Sequence, residues 1–120
     1  MKAAITAQGP DMTSQVDPRF GRAKYFVVVD TDGGEPVAHD NSRNLAAVQG
    51  AGIQAGQNVI ALGVKAVVTG HVGPKAFRTL QAGGVEVYVG AVGSVADALA
   101  ALQAGRLQRV EKPDVQGHWA

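Results

Sequence analysis

The sequence predicts one α/β domain built on a five-stranded mixed sheet flanked by about three helices, and three observations carry that reading. A chain of 120 residues, 46% hydrophobic and 18% charged, is long enough to bury one core without a metal or disulfide staple. Its first half holds two strand-like runs joined by a tight turn, a hairpin. Its second half alternates strands with helices, which calls for right-handed parallel crossovers. A hairpin joined to parallel units makes the sheet mixed.

The elements follow in order. Residues 2–7 carry Ile5 and Thr6 and read as a first strand. Residues 8–23 break the pattern with Gly9-Pro10, Asp17-Pro18 and Gly21, a long loop of the kind that usually has work to do. Lys24 to Asp30 is nearly continuous aromatic and β-branched residues, the strongest strand signal in the chain. Thr31-Asp32-Gly33-Gly34 turns it back into a third strand from Pro36 to about His39, and the proline suggests a sheet edge. Apolar and small residues at Val48, Gly52, Ala55, Val59 and Leu62 then form a helical stripe, capped by Gly63. Gly50, Gly52 and Gly56 inside that helix imply a face where another backbone or a ligand comes close.

Ala66 to Thr69 is a short buried strand that runs through a glycine-flanked loop into a helix ending near Gln81. Val85 to Val89 alternates cleanly and reads as the last strand, and Ser94 with Asp97 resembles a capping box. That box opens a helix whose stripe is Val95, Leu99 and Leu102 and whose stop is Gly105. Residues 106–120 mix charge, Pro113 and Gly117 without periodicity, so they read as a loosely ordered tail in which Trp119 is solvent-exposed or packs only locally. No internal repeat is evident.

Composition excludes several functions. The absence of cysteine removes thiolate-ligated metals, clusters held by the protein's own sulfurs, and a cysteine nucleophile. A net charge of +1 gives no global field toward nucleic acid or an anionic membrane. No apolar run approaches the roughly 20 residues of a membrane helix, and the first residues lack a signal-peptide pattern, so the expected location is the cytoplasm. Walker and Gly-x-Gly-x-x-Gly patterns are missing, no serine has a nucleophile-elbow context, and the central strands lack the acids of a metal-dependent nuclease. No catalytic constellation is legible.

Two loops carry chemistry suited to an anion. In Gly70-His71-Val72-Gly73-Pro74-Lys75-Ala76-Phe77, Pro74 suits the first helical position, which leaves the N–H groups of Lys75, Ala76 and Phe77 facing the loop. The helix dipole and the Lys75 cation add to that attraction. The plainer alternative is a strand-to-helix turn that binds only water. In Asp17-Pro18-Arg19-Phe20-Gly21-Arg22-Ala23-Lys24, three cations fall within six residues, and guanidinium forks suit a multi-oxygen or delocalised anion. Here the plainer alternative is a solvated turn in which Asp17 pairs with one arginine. His71 is the candidate metal ligand; His39 and His118 lack ligand spacing, and Met12 is a candidate thioether contact.

Taken together, Asp17-Pro-Arg-Phe-Gly-Arg-Ala23, Asn44, the Gly50-Ala-Gly52 helix, Gly63-Val-x-Ala-Val-Val-x-Gly70-x-x-Gly73-Pro-Lys-Ala76 and Gly84-Val-x-Val-Tyr88 resemble the dinitrogenase iron–molybdenum cofactor-binding family. The similarity spans roughly residues 2–104. It implies a ribonuclease-H-like fold, with residues 1–105 as a cluster-binding domain and 106–120 as its tail. Within that family, the resemblance to its cysteine-free, stand-alone members implies a non-covalent Mo-Cu sulfide cluster, a multiply charged anion, and protein partners in cluster delivery. The residues implied for its binding are Arg19, Phe20, Gly21, Arg22 and Lys24 in the first loop, and His71, Val72, Gly73, Pro74, Lys75 and Ala76 in the second. The other reading is a partner-binding regulatory domain with no cofactor of its own.

Overall fold

A computed structural model describes residues 1–42 and 51–111. The order of elements is β1 (Lys2–Ala7), β2 (Tyr25–Asp30), β3 (Val37–Asp40), α1 (Ala51–Ala61), β4 (Ala66–Val68), α2 (Pro74–Ala82), β5 (Glu86–Val89), α3 (Val95–Gln103) and β6 (Gln108–Val110). They form one sheet in the order β3-β2-β1-β4-β5-β6. β1 pairs antiparallel with β2, Ala7 facing Tyr25 and Lys2 facing Asp30, and parallel with β4, Ala3 facing Ala66. β4 and β5 are parallel, while β3 and β6 add antiparallel edges.

Alternation along the strands sorts side chains into two cores. Ala4, Phe26, Val67 and Val87 face one way and pack with Ala55 and Val59 of α1 and with Ala76, Phe77 and Leu80 of α2. Ala3, Ile5, Val27, Ala66 and Val68 face the other way, against Val95 and Ala98 of α3. Two helices therefore cover one face and the third covers the other. The small residues of α1 have the consequence expected of them: a Cβ on Gly56 would stand 2.9 Å from Thr79 Cγ2, so the glycine sets the α1–α2 approach. Gly50 and Val48 lie outside the described residues.

Six strands replace the expected five. β6 falls in the stretch that reads as tail, with Val87 facing Val110 and Val89 facing Gln108. Its polar sequence hides it because the ladder uses backbone groups, and an edge strand needs no apolar face to complete one. β5 is consequently not the last strand. Residues 112–120, with Trp119, lie outside the described residues. β3 does take the edge that Pro36 suggested, and the Ser94–Asp97 capping box forms with both of its hydrogen bonds.

Candidate functional site

The carboxyl ends of the three parallel strands β1, β4 and β5 share one rim of the sheet, and the loops 8–24, 69–73 and 90–94 spring from it. After β4 the chain passes to the face of α2, and after β5 it passes to the opposite face and α3. Adjacent strands whose connections leave in opposite directions open a crevice at their carboxyl ends, the usual ligand position in open α/β sheets.

The two anion-suited loops meet at this rim. The His71 backbone N–H donates to the Pro18 carbonyl at 2.8 Å, and Arg19 and His71 form an isolated parallel bridge. Residues paired across a parallel bridge start their side chains on the same side of it. Arg19 and His71 are both exposed. Gly70 makes the contact possible: a Cβ there would lie 2.7 Å from Pro18 Cα and 2.8 Å from Pro18 O.

Beyond His71, α2 begins without a side-chain cap. Its N-cap residue is Gly73, in extended conformation at φ −82° and ψ 170°, followed by Pro74. The Phe77 N–H bonds to the Gly73 carbonyl at 3.0 Å, so it does not face the loop as the sequence suggested. It closes the first helical hydrogen bond, one residue earlier than a count from Pro74 implies. The Lys75 and Ala76 N–H groups find no acceptor among the described residues. Lys75 is exposed beside them.

The remaining residues of the first loop occupy other places. Phe20 is fully buried, its ring tilted 33° against Phe26 at a centroid distance of 5.7 Å, among the core residues of the α1–α2 face. Val72 and Ala76 are likewise buried in that core, which leaves only their backbones for a ligand. Gly21 is buried and Arg22 half-buried, and each is already engaged with other groups. Lys24 is exposed on the same rim but leads into β2, two strands from β4, roughly 10 Å away at the ordinary strand spacing. The Asp17 carboxylate accepts the Arg19 backbone N–H at 3.0 Å and pairs with no guanidinium among the described residues. Met12 packs against the α3-side core.

A third loop escapes sequence reasoning. Gly90 N–H donates to the Gly70 carbonyl at 3.1 Å, Ala91 N–H to Thr69 at 3.2 Å, and Val16 N–H to the Gly93 carbonyl at 2.9 Å, so loop 90–94 is bound to both others. Its tip, Val92, is 79% exposed. The signal that could have found it is the recurrence of Gly-x-Val-Gly after two successive strands: Gly70-His-Val-Gly73-Pro74 and Gly90-Ala-Val-Gly93-Ser94. The two turns differ in how their helices start. At α3 the Ser94 hydroxyl accepts the Asp97 N–H at 3.1 Å while the Asp97 carboxylate accepts the Ser94 N–H at 3.0 Å. The Ser94 N–H most of all, and the Ser94 hydroxyl after it, hold the Asp97 carboxyl below the ordinary carboxylate range.

Among the described residues no group of three or more histidine, cysteine or carboxylate side chains is gathered as a metal-ligand set. Of two clefts, the first lies away from the rim and the second borders it through loop 90–94. The first, of about 500 Å³, is lined by Phe77, Gln81, Glu86 and Arg109, and the second, of about 410 Å³, by Gly90–Gly93, Asp97 and Arg106. No helix among the described residues is long and apolar enough to cross a membrane.

Comparison with known proteins adds four findings. Residues 1–105 match the family described as dinitrogenase iron-molybdenum cofactor. The fold is similar to that of the apo orange protein from Desulfovibrio gigas, with a TM-score of 0.92 and 38% identity, covering 95% of this chain and 96% of that one. It is also similar to a putative NifB protein from Thermotoga, with a TM-score of 0.78 and 37% identity over 90% of this chain and 91% of that one. An uncharacterized protein of Methanocaldococcus jannaschii is 26% identical over 115 residues, 92% of each chain.

Proposed function

This chain belongs to the dinitrogenase iron–molybdenum cofactor family, and from that membership we propose that it binds and carries an anionic molybdenum-containing metal–sulfur cluster, of the Mo-Cu sulfide type, without catalysing a reaction. The observation that carries the reading is the difference between two neighbouring turns. At the start of α3 the Val95 and Ala96 amides bond to the Ser14 and Met12 carbonyls and the Asp97 amide to the Ser94 hydroxyl, whereas the start of α2 keeps the Lys75 and Ala76 amides without an acceptor among the described residues, beside the Arg19–His71 bridge.

The donor set suits such a cargo. Backbone N–H groups at a helix start attract negative charge without demanding one geometry, and the dipole adds to the attraction. Arg19 contributes a delocalised, weakly hydrated cation that matches a large polarisable anion better than an ammonium does, and Lys75 adds a mobile point charge. Gly70 and Gly73 keep side-chain bulk away from the rim. The imidazole of His71 adds a nitrogen donor to the constellation, which supports contact with a metal of the cluster. Cysteine is absent from the chain, so the cluster would bring all of its own sulfur. A grip made of charge and amides releases its cargo more readily than thiolate ligation does, which fits carriage and assembly with delivery to protein partners.

The test is a titration of the purified protein with tetrathiomolybdate and copper, followed by desalting, visible absorption and metal analysis. Colour retained at a fixed metal-to-protein ratio, and weakened by Arg19→Ala and Lys75→Ala, is the expected result. Colour that passes through the column unbound overturns the reading and leaves a partner-binding domain as the better account.

A further inference from the structure

Arg19 and His71 are bridged through their backbones although they come from loops more than fifty positions apart. What aligns them lies one layer down. Thr6 and Thr69 are fully buried polar side chains at the carboxyl ends of β1 and β4, with hydroxyl oxygens 2.8 Å apart. The Thr6 hydroxyl donates to the Asp17 carbonyl at 2.7 Å, and the Asp17 N–H donates back to the Thr6 carbonyl at 2.9 Å. Asp17 is itself 5% exposed, and its carboxylate folds over to accept the Arg19 N–H at 3.0 Å. Next along the chain, the Pro18 carbonyl takes the His71 N–H.

We propose that Thr6 and Asp17 are positioning residues for the cluster site: the Thr6 hydroxyl and the Asp17 carboxylate together fix the Pro18–Arg19 segment against Gly70–His71, and so start the Arg19 and His71 side chains on the same side of the bridge. The physical reasons are specific. A threonine amid Ile5, Ala4 and Ala7 on a central strand gives up apolar packing, and here it binds a loop carbonyl that strand pairing cannot reach. A buried carboxylate beside an anion site repels the ligand, so its value there is as an acceptor. In the Asp17-x-Arg19 turn the side-chain oxygen replaces a backbone acceptor and fixes the direction in which residue 19 leaves.

The inference depends on the cluster reading for its ligand arm only, and the experiment separates the two. Thr6→Val keeps the shape and removes the hydroxyl, and Thr6→Ser restores it. Asp17→Ala removes the acceptor, while Asp17→Asn keeps an acceptor oxygen and removes the charge. The first readout is amide hydrogen exchange at Arg19 and His71. Thr6→Val and Asp17→Ala should speed it about tenfold, the effect of one hydrogen bond of ordinary strength, and Thr6→Ser and Asp17→Asn should leave it near wild type. The second readout is retention of tetrathiomolybdate with copper. Arg19→Ala should weaken retention less in the Thr6→Val background than in the wild type, which a merely structural role would not produce. Unchanged exchange at His71 in both Thr6→Val and Asp17→Ala overturns the proposal, as does an Arg19→Ala effect that is the same in both backgrounds. Should Thr6→Val fail to fold, the Asp17 pair decides. Wild-type protein that retains no colour refutes the cluster reading, and the exchange readout still tests the positioning role.

Discussion

Replacing Gly70 by alanine should break the junction of the two loops. Its added Cβ would stand 2.7 Å from Pro18 Cα, 2.8 Å from Pro18 O and 3.0 Å from Pro18 Cβ, against the 3.4 Å at which ordinary contact begins. Two of the three neighbours are backbone atoms, so no rotamer change relieves the overlap. Pro18 must retreat by about 0.7 Å, the difference between 2.7 and 3.4 Å, which stretches the 2.8 Å bond from His71 N–H to about 3.5 Å. Pro18 cannot retreat freely, because Asp17 is held to Thr6 through both backbone groups. Overpacking of this kind costs about 1–3 kcal/mol, and a lost buried hydrogen bond adds about 1 kcal/mol. A total of roughly 2–4 kcal/mol lowers the melting temperature of a domain this size by roughly 6–20 °C. The assay is thermal and urea unfolding with amide exchange at His71, run beside Gly105→Ala as control. Gly105 has φ +70° and nothing within 4 Å of its Cβ, so that variant carries only backbone strain of about 1–2 kcal/mol and leaves the rim intact. A Gly70→Ala protein that melts within about 2 °C of wild type, or that keeps His71 protected, would refute the reasoning.

Other outcomes follow from the same geometry. Phe20→Ala should lower stability by about 3–5 kcal/mol in denaturant titrations, because the ring fills the α1–α2 core rather than touching a ligand. Tetrathiomolybdate retention should fall as salt rises from 0.05 to roughly 0.5 M, since the cations at the rim are exposed; affinity flat with salt would argue against a charge-based grip. The Asp97 carboxyl is held below its ordinary value in the folded chain, so its contribution is complete above about pH 4 and is lost as pH falls through the folded value. Asp97→Asn should therefore flatten the acid limb of stability against pH, and an unchanged limb would contradict the capping role. Ser94→Ala should cost about 1 kcal/mol at neutral pH, read by thermal unfolding.

Much of the architecture is written in local pattern. The β-branched run Tyr25–Asp30, the proline before β3, the alternation of Glu86–Val89 and the Ser94–Asp97 pair each act through neighbours within a few residues, and each reads correctly. Features decided at long range do not. β6 exists because Gln108–Val110 finds the open edge of β5, a fact about ladder geometry that two polar residues and one valine do not advertise. Phe20 sits between two arginines and a glycine in a loop, and only the tertiary packing shows that its ring turns inward to Phe26. The proximity of Arg19 to His71 depends on β1 and β4 being neighbours, and the buried Thr6–Thr69 contact depends on it too. Lys24 has the right charge on the right rim, but the sheet order separates it from β4. The matched Gly-x-Val-Gly turns were legible as letters, and their meaning needed the strands laid side by side.

Those matched turns share their letters but not their conformation, since Gly73 is extended at φ −82° and Gly93 lies at φ +84°. The first loop also reaches only one of them, where the Ser14 and Met12 carbonyls take the first two amides of α3. Ser94→Gly with Asp97→Ala would therefore strip two side chains from the start of α3 and still leave its first amides tied to the loop, so the backbone path of residues 12–14, and not the capping pair alone, sets the two helix starts apart.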